Sequence, residues 1–177
     1  MKDERTRAFA AAHENLTEYF LNPGQLIFSK KPIIACTVLG SCVSVCIYDS
    51  LNKWGGMCHY LLPEAPTDEK KSTRYGTTAI YTLLHKFIKE NGARREQLSA
   101  SILGGAFIVY DEREFFFIGD KNIDLAFDIL KKERIRIYMT NTGGEYGRKV
   151  YFSTASNHIF VKDFAHITID DLYNPDL

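Results

Sequence analysis

The chain carries no excess charge of either sign: 22 lysines and arginines balance 22 aspartates and glutamates over 177 residues. No global field would draw it to nucleic acid or to an anionic membrane surface. No apolar run approaches the length of about eighteen residues that a spanning helix needs. The opening MKDERTRAFAAAHENL is too charged for the core of a secretory signal, so the expectation is a cytoplasmic protein with no membrane insertion. A GxxxxGK[ST] phosphate cradle is missing, even from the glycine-rich stretch at 141–147. Internal repeats and low-complexity segments are missing too. The four cysteines, Cys36, Cys42, Cys46 and Cys58, have neither zinc-pair spacing nor the dispersed pattern of a disulfide scaffold. Neither a metal nor a cofactor is expected, and most of these thiols should pack as small hydrophobes.

Against these absences stands one dense stretch, TVLGSCVSVCIYDSLNKWGGMCH, from Thr37 to His59. Ile33 to Val38 reads as a short buried strand leading to Gly40. A tight Gly40-Ser41 turn then presents Cys42. Val43, Val45 and Ile47 alternate with Ser44, Cys46 and Tyr48, the pattern of a strand with two unlike faces, with Cys46 lining the side that Cys42 occupies. After the hairpin loop at 49–53, Trp54 to Leu62 returns as a second strand, in which Gly55-Gly56 marks a bulge or a close backbone approach. The return carries His59 back toward Cys42, a nucleophile and its base in outline. A neighbouring imidazole and the amides of the turn predict a lowered thiol pKa and a seat for the oxyanion of a tetrahedral intermediate. Thr37 is the available acceptor to orient the imidazole. Cys36, beside it, lies on the opposite strand face, so only one of the two reaches His59. Cys58 points away from Cys42 if His59 points toward it. A cysteine, a histidine and a neutral orienter favour acyl chemistry on an amide.

The remaining chain reads as scaffold. Its length allows one domain that buries close to ~70% of its unfolded surface, with residues 1–18 as an N-terminal arm and 19–177 as a single cysteine-hydrolase-like domain. The arm is expected to be a short, weakly attached helix with Phe9, Leu16 and Phe20 as anchors. Gln25 to Phe28 is a strand, and the polar loop at 63–73 borders the site. Tyr75, Ala79, Ile80, Leu83, Leu84, Phe87 and Ile88 form the stripe of a helix stopped at Asn91-Gly92, with His85 off the stripe in solvent. Ser99 to Leu103 is a strand ending in Gly104-Gly105-Ala106, which either walls a pocket or makes a tight sheet corner. Aromatic strands are expected at 107–110 and 115–118. A helix follows from Asn122 to Glu133 with Asp120 as its cap, and strands at 135–139, 148–153 and 159–162 close the chain.

Taken together, T-V-L-G-S-C-V-S-V-C and G-G-M-C-H-Y-L-L-P resemble the corresponding segments of the CheD family of chemoreceptor glutamine deamidases. L-G-G-A at 103–106, I-G-D-K-N at 118–122 and T-G-G-E-Y-G-R-K-V-Y-F at 142–152 match further family segments in the family's order, so the likeness spans about 19–165. Where the family has a glycine turn, this chain has Ser156-Asn157-His158, and asparagine tolerates the left-handed conformation. The resemblance implies hydrolysis of the side-chain amide of particular glutamines on methyl-accepting chemotaxis receptors, with Cys42 as nucleophile, His59 as base and Thr37 as orienter. It also implies an α+β fold, a layered sandwich of mixed β-sheets with helices outside, similar to the catalytic domain of cytotoxic necrotising toxins. The implied partners are receptor cytoplasmic helices and, as in some members, a CheC-type phosphatase of the response regulator. A different class of reading is a regulatory binding module for such a phosphatase, and a third is a thiol protease or transglutaminase, which would need an open groove.

Overall fold

The computed structural model describes residues 8–9, 11–66, 71–107 and 117–164. Among the described residues, two mixed sheets and two longer helices are stacked in three layers, an α+β architecture. The strands are β1 (Thr17–Phe20), β2 (Leu26–Ser29), β3 (Ile33–Leu39), β4 (Val43–Asp49), β5 (Trp54–Tyr60), β6 (Leu98–Gly104), β7 (Arg136–Thr142), β8 (Gly147–Ser153) and β9 (Ile159–Phe164). The helices are α1 (Gly76–His85), prolonged by a π turn at Lys86–Glu90, and α2 (Ile118–Lys132). The outer sheet has the order β1-β3-β8-β9, and the central sheet β2-β5-β4-β6-β7. All neighbours are antiparallel except β1 with β3 and β6 with β7.

The central sheet is covered on both faces, and the alternation in β4 assigns the faces. Val43, Val45 and Ile47 join Cys58, Tyr60, Ala100 and Ile102 against the helices, where Ile80, Leu83 and Phe87 of the first helical stretch are fully buried. Each such side chain contributes about 1.5–3 kcal/mol by leaving water. Cys46, Tyr48, Met57 and Leu103 face the outer sheet and meet Leu21, Ala35, Leu39, Val150 and Phe152 there. Cys46 thus sits in the core between the sheets, 1% exposed, and not on a pocket wall.

Gly55-Gly56 marks a close approach and no bulge, since the β4–β5 register is unbroken. A Cβ on Gly55 would lie 2.5 Å from the Thr154 Cα. The hairpin turns because Asp49 Oδ1 accepts the N–H groups of Leu51 and Asn52, with Lys53 at φ 57. Asn157 takes φ 59, the left-handed conformation expected of it.

Several expected boundaries move. Residues 8–9 and 11–12 are helical, as the arm was expected to be, but its end at Thr17 and Glu18 opens the strand Thr17–Phe20, whose N–H and C=O groups complete the outer sheet beside β3. Phe9 is 7% exposed and lies among His13, Tyr151, His158 and Phe160, so it is anchored by ring contacts. α2 begins at Ile118, four residues before the expected start, and Asp120 lies in its first turn without capping it. Within the expected strands at 107–110 and 115–118, residues 108–116 lie outside the described residues; Phe107 is irregular, and Ile118 is helical. β7 runs on through Thr140, Asn141 and Thr142, taking the start of the expected glycine loop into the sheet.

Candidate active site

The site lies on the inner face of the central sheet, at the strand end where its middle strand β4 begins. Ser44 pairs with His59 across β4 and β5, so the two side chains share a face, and Cys42 lies on that face two residues earlier. Cys42 and His59 are therefore diagonal cross-strand neighbours, a separation within reach of an aromatic side chain such as the imidazole. Cys42 packs at the rim of the inter-sheet cluster and is half-buried, while Cys36, Cys46 and Cys58 are buried. Cys58 is turned into the helix-side core, as its adjacency to His59 predicted.

His59 is fully buried. Its backbone is tied to the 22–25 turn, the N–H donating to Gln25 O at 2.9 Å and the carbonyl accepting from Gly24 N–H at 2.8 Å. Its Nδ1 lies 2.7 Å from Thr37 Oγ1, and that hydroxyl donates its only hydrogen to Leu21 O at 2.7 Å. The Thr37 oxygen must then accept from Nδ1–H. The imidazole is thereby fixed as the Nδ1–H tautomer, and its Nε2 lone pair is left buried without a partner. Thr37, and not Cys36, reaches the ring. Cys36 lies on the opposite face of β3, near Glu18 and Lys149, and burial pushes its thiol up to about 11.

Electrostatics depart from the expected lowered thiol. Burial pushes the Cys42 thiol up to about 11, and the N–H of Cys42 itself, directed at the sulfur, only partly opposes this. Burial also pushes His59 down to about 4. Both groups are thus neutral at rest, a thiol beside an unprotonated imidazole. An imidazole lone pair with no partner, on the sheet face it shares with a protonated thiol, has the chemistry to take that proton as the sulfur attacks a carbonyl.

The Gly104-Gly105 turn is a sheet corner, the second of the two readings left open for it, and it braces the Gly40–Cys42 turn. Gly105 N–H donates to Cys42 O at 2.7 Å, and Ala106 N–H donates to Gly40 O at 2.8 Å. Gly104, at φ 104, passes so close to the Cys42 carbonyl that a Cβ would collide with it. Arg148, 4% exposed, binds the carbonyls of Asn141 and Gly143 and the Asn141 Oδ1 at 2.6 Å, and Gly143 N–H donates to Gly104 O. The 141–147 segment is thus a second layer of support behind the corner. Of the 63–73 loop, residues 67–70 lie outside the described residues, and Leu61 and Leu62 leave β5 toward it with their N–H groups on Arg74 O. Among the described residues no cluster of metal-ligating side chains occurs.

Sequence reasoning missed Asn122, which it took as a helix start. It is fully buried, and its Nδ2 donates to Ser41 O at 3.1 Å and Leu61 O at 2.9 Å. Its signal was the I-G-D-K-N segment, whose Gly119 lies so close to Gly105 that the first turn of α2 is pressed onto the corner.

Residues 61–163 match the family model described as CheD chemotactic sensory transduction. The chain belongs to the CheD family. A Geobacter sulfurreducens CheD named "Probable chemoreceptor glutamine deamidase CheD 2" is 33% identical over 86% of this chain and 93% of its own. An Anaeromyxobacter dehalogenans CheD named a probable chemoreceptor glutamine deamidase is 36% identical over 82% of this chain and 84% of its own. A Methylobacillus flagellatus CheD of the same name is 40% identical over 79% and 70%. Among solved structures, a Neisseria meningitidis protein of the family model DUF152 aligns with 79% of this chain and 69% of its own at a TM-score of 0.46 and 13% identity. The segment matched by the family model begins just after His59. Among the described residues, no helix is long and apolar enough to cross a membrane.

Proposed function

We propose that this CheD chain hydrolyses the side-chain amide of specific glutamines on methyl-accepting chemotaxis receptors, through a thioester on Cys42. The observation that carries the reading is the buried His59, with Nδ1 taken by Thr37 and Nε2 left free on the face it shares with Cys42. The Cys42 sulfur attacks the carboxamide carbon as its proton passes to His59 Nε2. The carbonyl electrons move onto oxygen, where the Cys42 N–H meets them. On collapse the carbon–nitrogen bond breaks, and ammonia leaves with the proton from His59. Water then attacks the thioester, His59 takes its proton, and the sulfur departs and is reprotonated, leaving glutamate. Thr37 keeps the ring in the tautomer that can receive a proton at Nε2.

The half-buried position of Cys42 at the end of a sheet suits a side-chain amide brought in on a folded helix. Binding energy from receptor surface remote from the carboxamide orients it for attack, so truncated substrates lose rate. The enzyme works in the cytoplasm on receptor cytoplasmic helices, with residues 19–177 as its hydrolase-like domain and a fold similar to the deamidating toxin domains. Incubation with a folded receptor fragment, followed by peptide mass analysis, is the test. Conversion of particular glutamines is expected, together with little turnover of free glutamine or unstructured peptides and none by Cys42→Ala. Equal rates on all three substrates would mean a general amidase. No turnover, with tight binding to a CheC-type phosphatase, would favour the regulatory module.

A further inference from the structure

The β4–β5 ladder ends at Val43 with Tyr60, and the next pair of positions would set Cys42 against Leu61. Carbonyls beyond a ladder's end need other partners when they are buried. Three consecutive ones are taken here: Gly40 O by Ala106 N–H, Cys42 O by Gly105 N–H, and Ser41 O by the side-chain amide of Asn122. The second hydrogen of Asn122 Nδ2 goes to Leu61 O, on the opposing strand. Asn122 is itself held, since its backbone carbonyl accepts the Tyr60 hydroxyl at 2.6 Å. Two carbonyl acceptors fix which amide atom is nitrogen, because an oxygen in that place would face two oxygens.

The carbonyl of Ser41 and the N–H of Cys42 belong to one trans peptide plane and point in opposite directions. α2 packs on the helix side of the central sheet, with Ala126, Ile129 and Leu130 in that core. Gripping the Ser41 carbonyl from that side turns the Cys42 N–H toward the opposite side, where the sulfur lies. We infer that Asn122 is a positioning residue for the oxyanion seat, holding the Ser41–Cys42 peptide so that the Cys42 N–H faces the oxygen of the tetrahedral intermediate. It acts through the peptide and touches neither the sulfur nor the substrate. The inference rests on the thiol-hydrolase reading above and deepens it.

Two reagents separate this role from general support. p-Nitrophenyl acetate acylates Cys42 through an oxyanion: sulfur bonds to the acetyl carbon, the thiol proton goes to His59, and p-nitrophenolate leaves. Iodoacetamide alkylates the same sulfur by displacing iodide from a saturated carbon, with no oxyanion. Asn122→Ala is expected to slow acylation about 100-fold while leaving alkylation within about twofold, the range of one lost oxyanion donor. Equal losses in both reactions, or unchanged acylation, would overturn the inference. Should Asn122→Ala fail to fold, Tyr60→Phe frees the Asn122 backbone more gently and is read by the same ratio, where an unchanged ratio overturns it. Neither reagent needs a receptor. Wild-type protein that acylates normally but spares receptor glutamines would therefore sink the deamidase reading and leave the role of Asn122 standing.

Discussion

The two faces of the central sheet are built from the same three strands and opposite chemistry. Toward the helices, β4, β5 and β6 present Val43, Val45, Ile47, Cys58, Ala100 and Ile102 with Tyr60, whose hydroxyl is satisfied by Asn122 O. Toward the outer sheet the same strands present Ser44, His59 and Ser101, with Ser44 Oγ, His59 Nε2 and Ser101 Oγ all buried without partners. A buried polar atom without a partner costs about 1–3 kcal/mol, so a stability-optimised core would not keep three of them together. The helix side has one orphan of its own in Asn122 Oδ1, but the strands themselves keep theirs on the inner side, where the proposed base His59 stays unengaged.

The largest expected break of this contrast is His59→Gln, which should lower kcat by about 10²–10⁴-fold, as removal of a general base does, with thermal stability near wild type. Retained activity would mean that Nε2 is idle. Next in size is the acid response. His59 is held neutral to about 4, whereas in the unfolded chain it titrates at its ordinary value of 6.5. Below 6.5 the unfolded state therefore binds a proton that the folded state refuses. Stability contributed by this site falls as pH drops from 6.5 toward 4 and levels off below, a loss of roughly 3 kcal/mol. Denaturant titrations across that window should show the fall in wild type and a shallower one in His59→Gln.

Smaller again is Thr37→Val, which keeps the shape but removes the hydroxyl accepting from Nδ1–H. Its rate should fall about 10–100-fold, as for partners that orient a histidine, while Cys36→Ala, on the far face of β3, leaves the rate near wild type. The reverse order in steady-state kinetics would put the orienter on the wrong residue. The smallest effects come from exchanging the faces' chemistry. Cys58→Ser places a hydroxyl in the helix-side core at a cost of about 1–3 kcal/mol, whereas Ser44→Ala removes an unpartnered hydroxyl and changes stability by no more than about 0.5 kcal/mol. Similar losses from both, measured by denaturant unfolding, would erase the distinction between the faces.

Much of this site was legible because period-two alternation is strict. Ser44, Cys46 and Tyr48 against Val43, Val45 and Ile47 sorted the faces, and the hairpin carried His59 back toward Cys42, where the ladder sets it opposite Ser44. Thr37 against Cys36 was left undecided by alternation alone, since which face of β3 meets β5 depends on how two sheets pack. Asn122 was hidden for a similar reason: its partners Ser41 and Leu61 are distant in sequence, and polar residues near a helix start ordinarily read as caps. The resting charge state was misjudged because proximity of thiol and imidazole says nothing about burial, and burial is the larger cause at both groups. Thr17–Phe20 was missed as a strand because four mostly exposed edge residues carry no apolar periodicity.

The neutral pair with a free Nε2 is the centre of the account, and nitrogen NMR of the His59 imidazole across a pH titration tests it most directly. A neutral ring protonated at Nδ1, unchanged from neutral pH down to near 5 and acquiring a second proton only around 4, is the predicted result. An imidazolium at neutral pH, or a neutral ring protonated at Nε2, would contradict it.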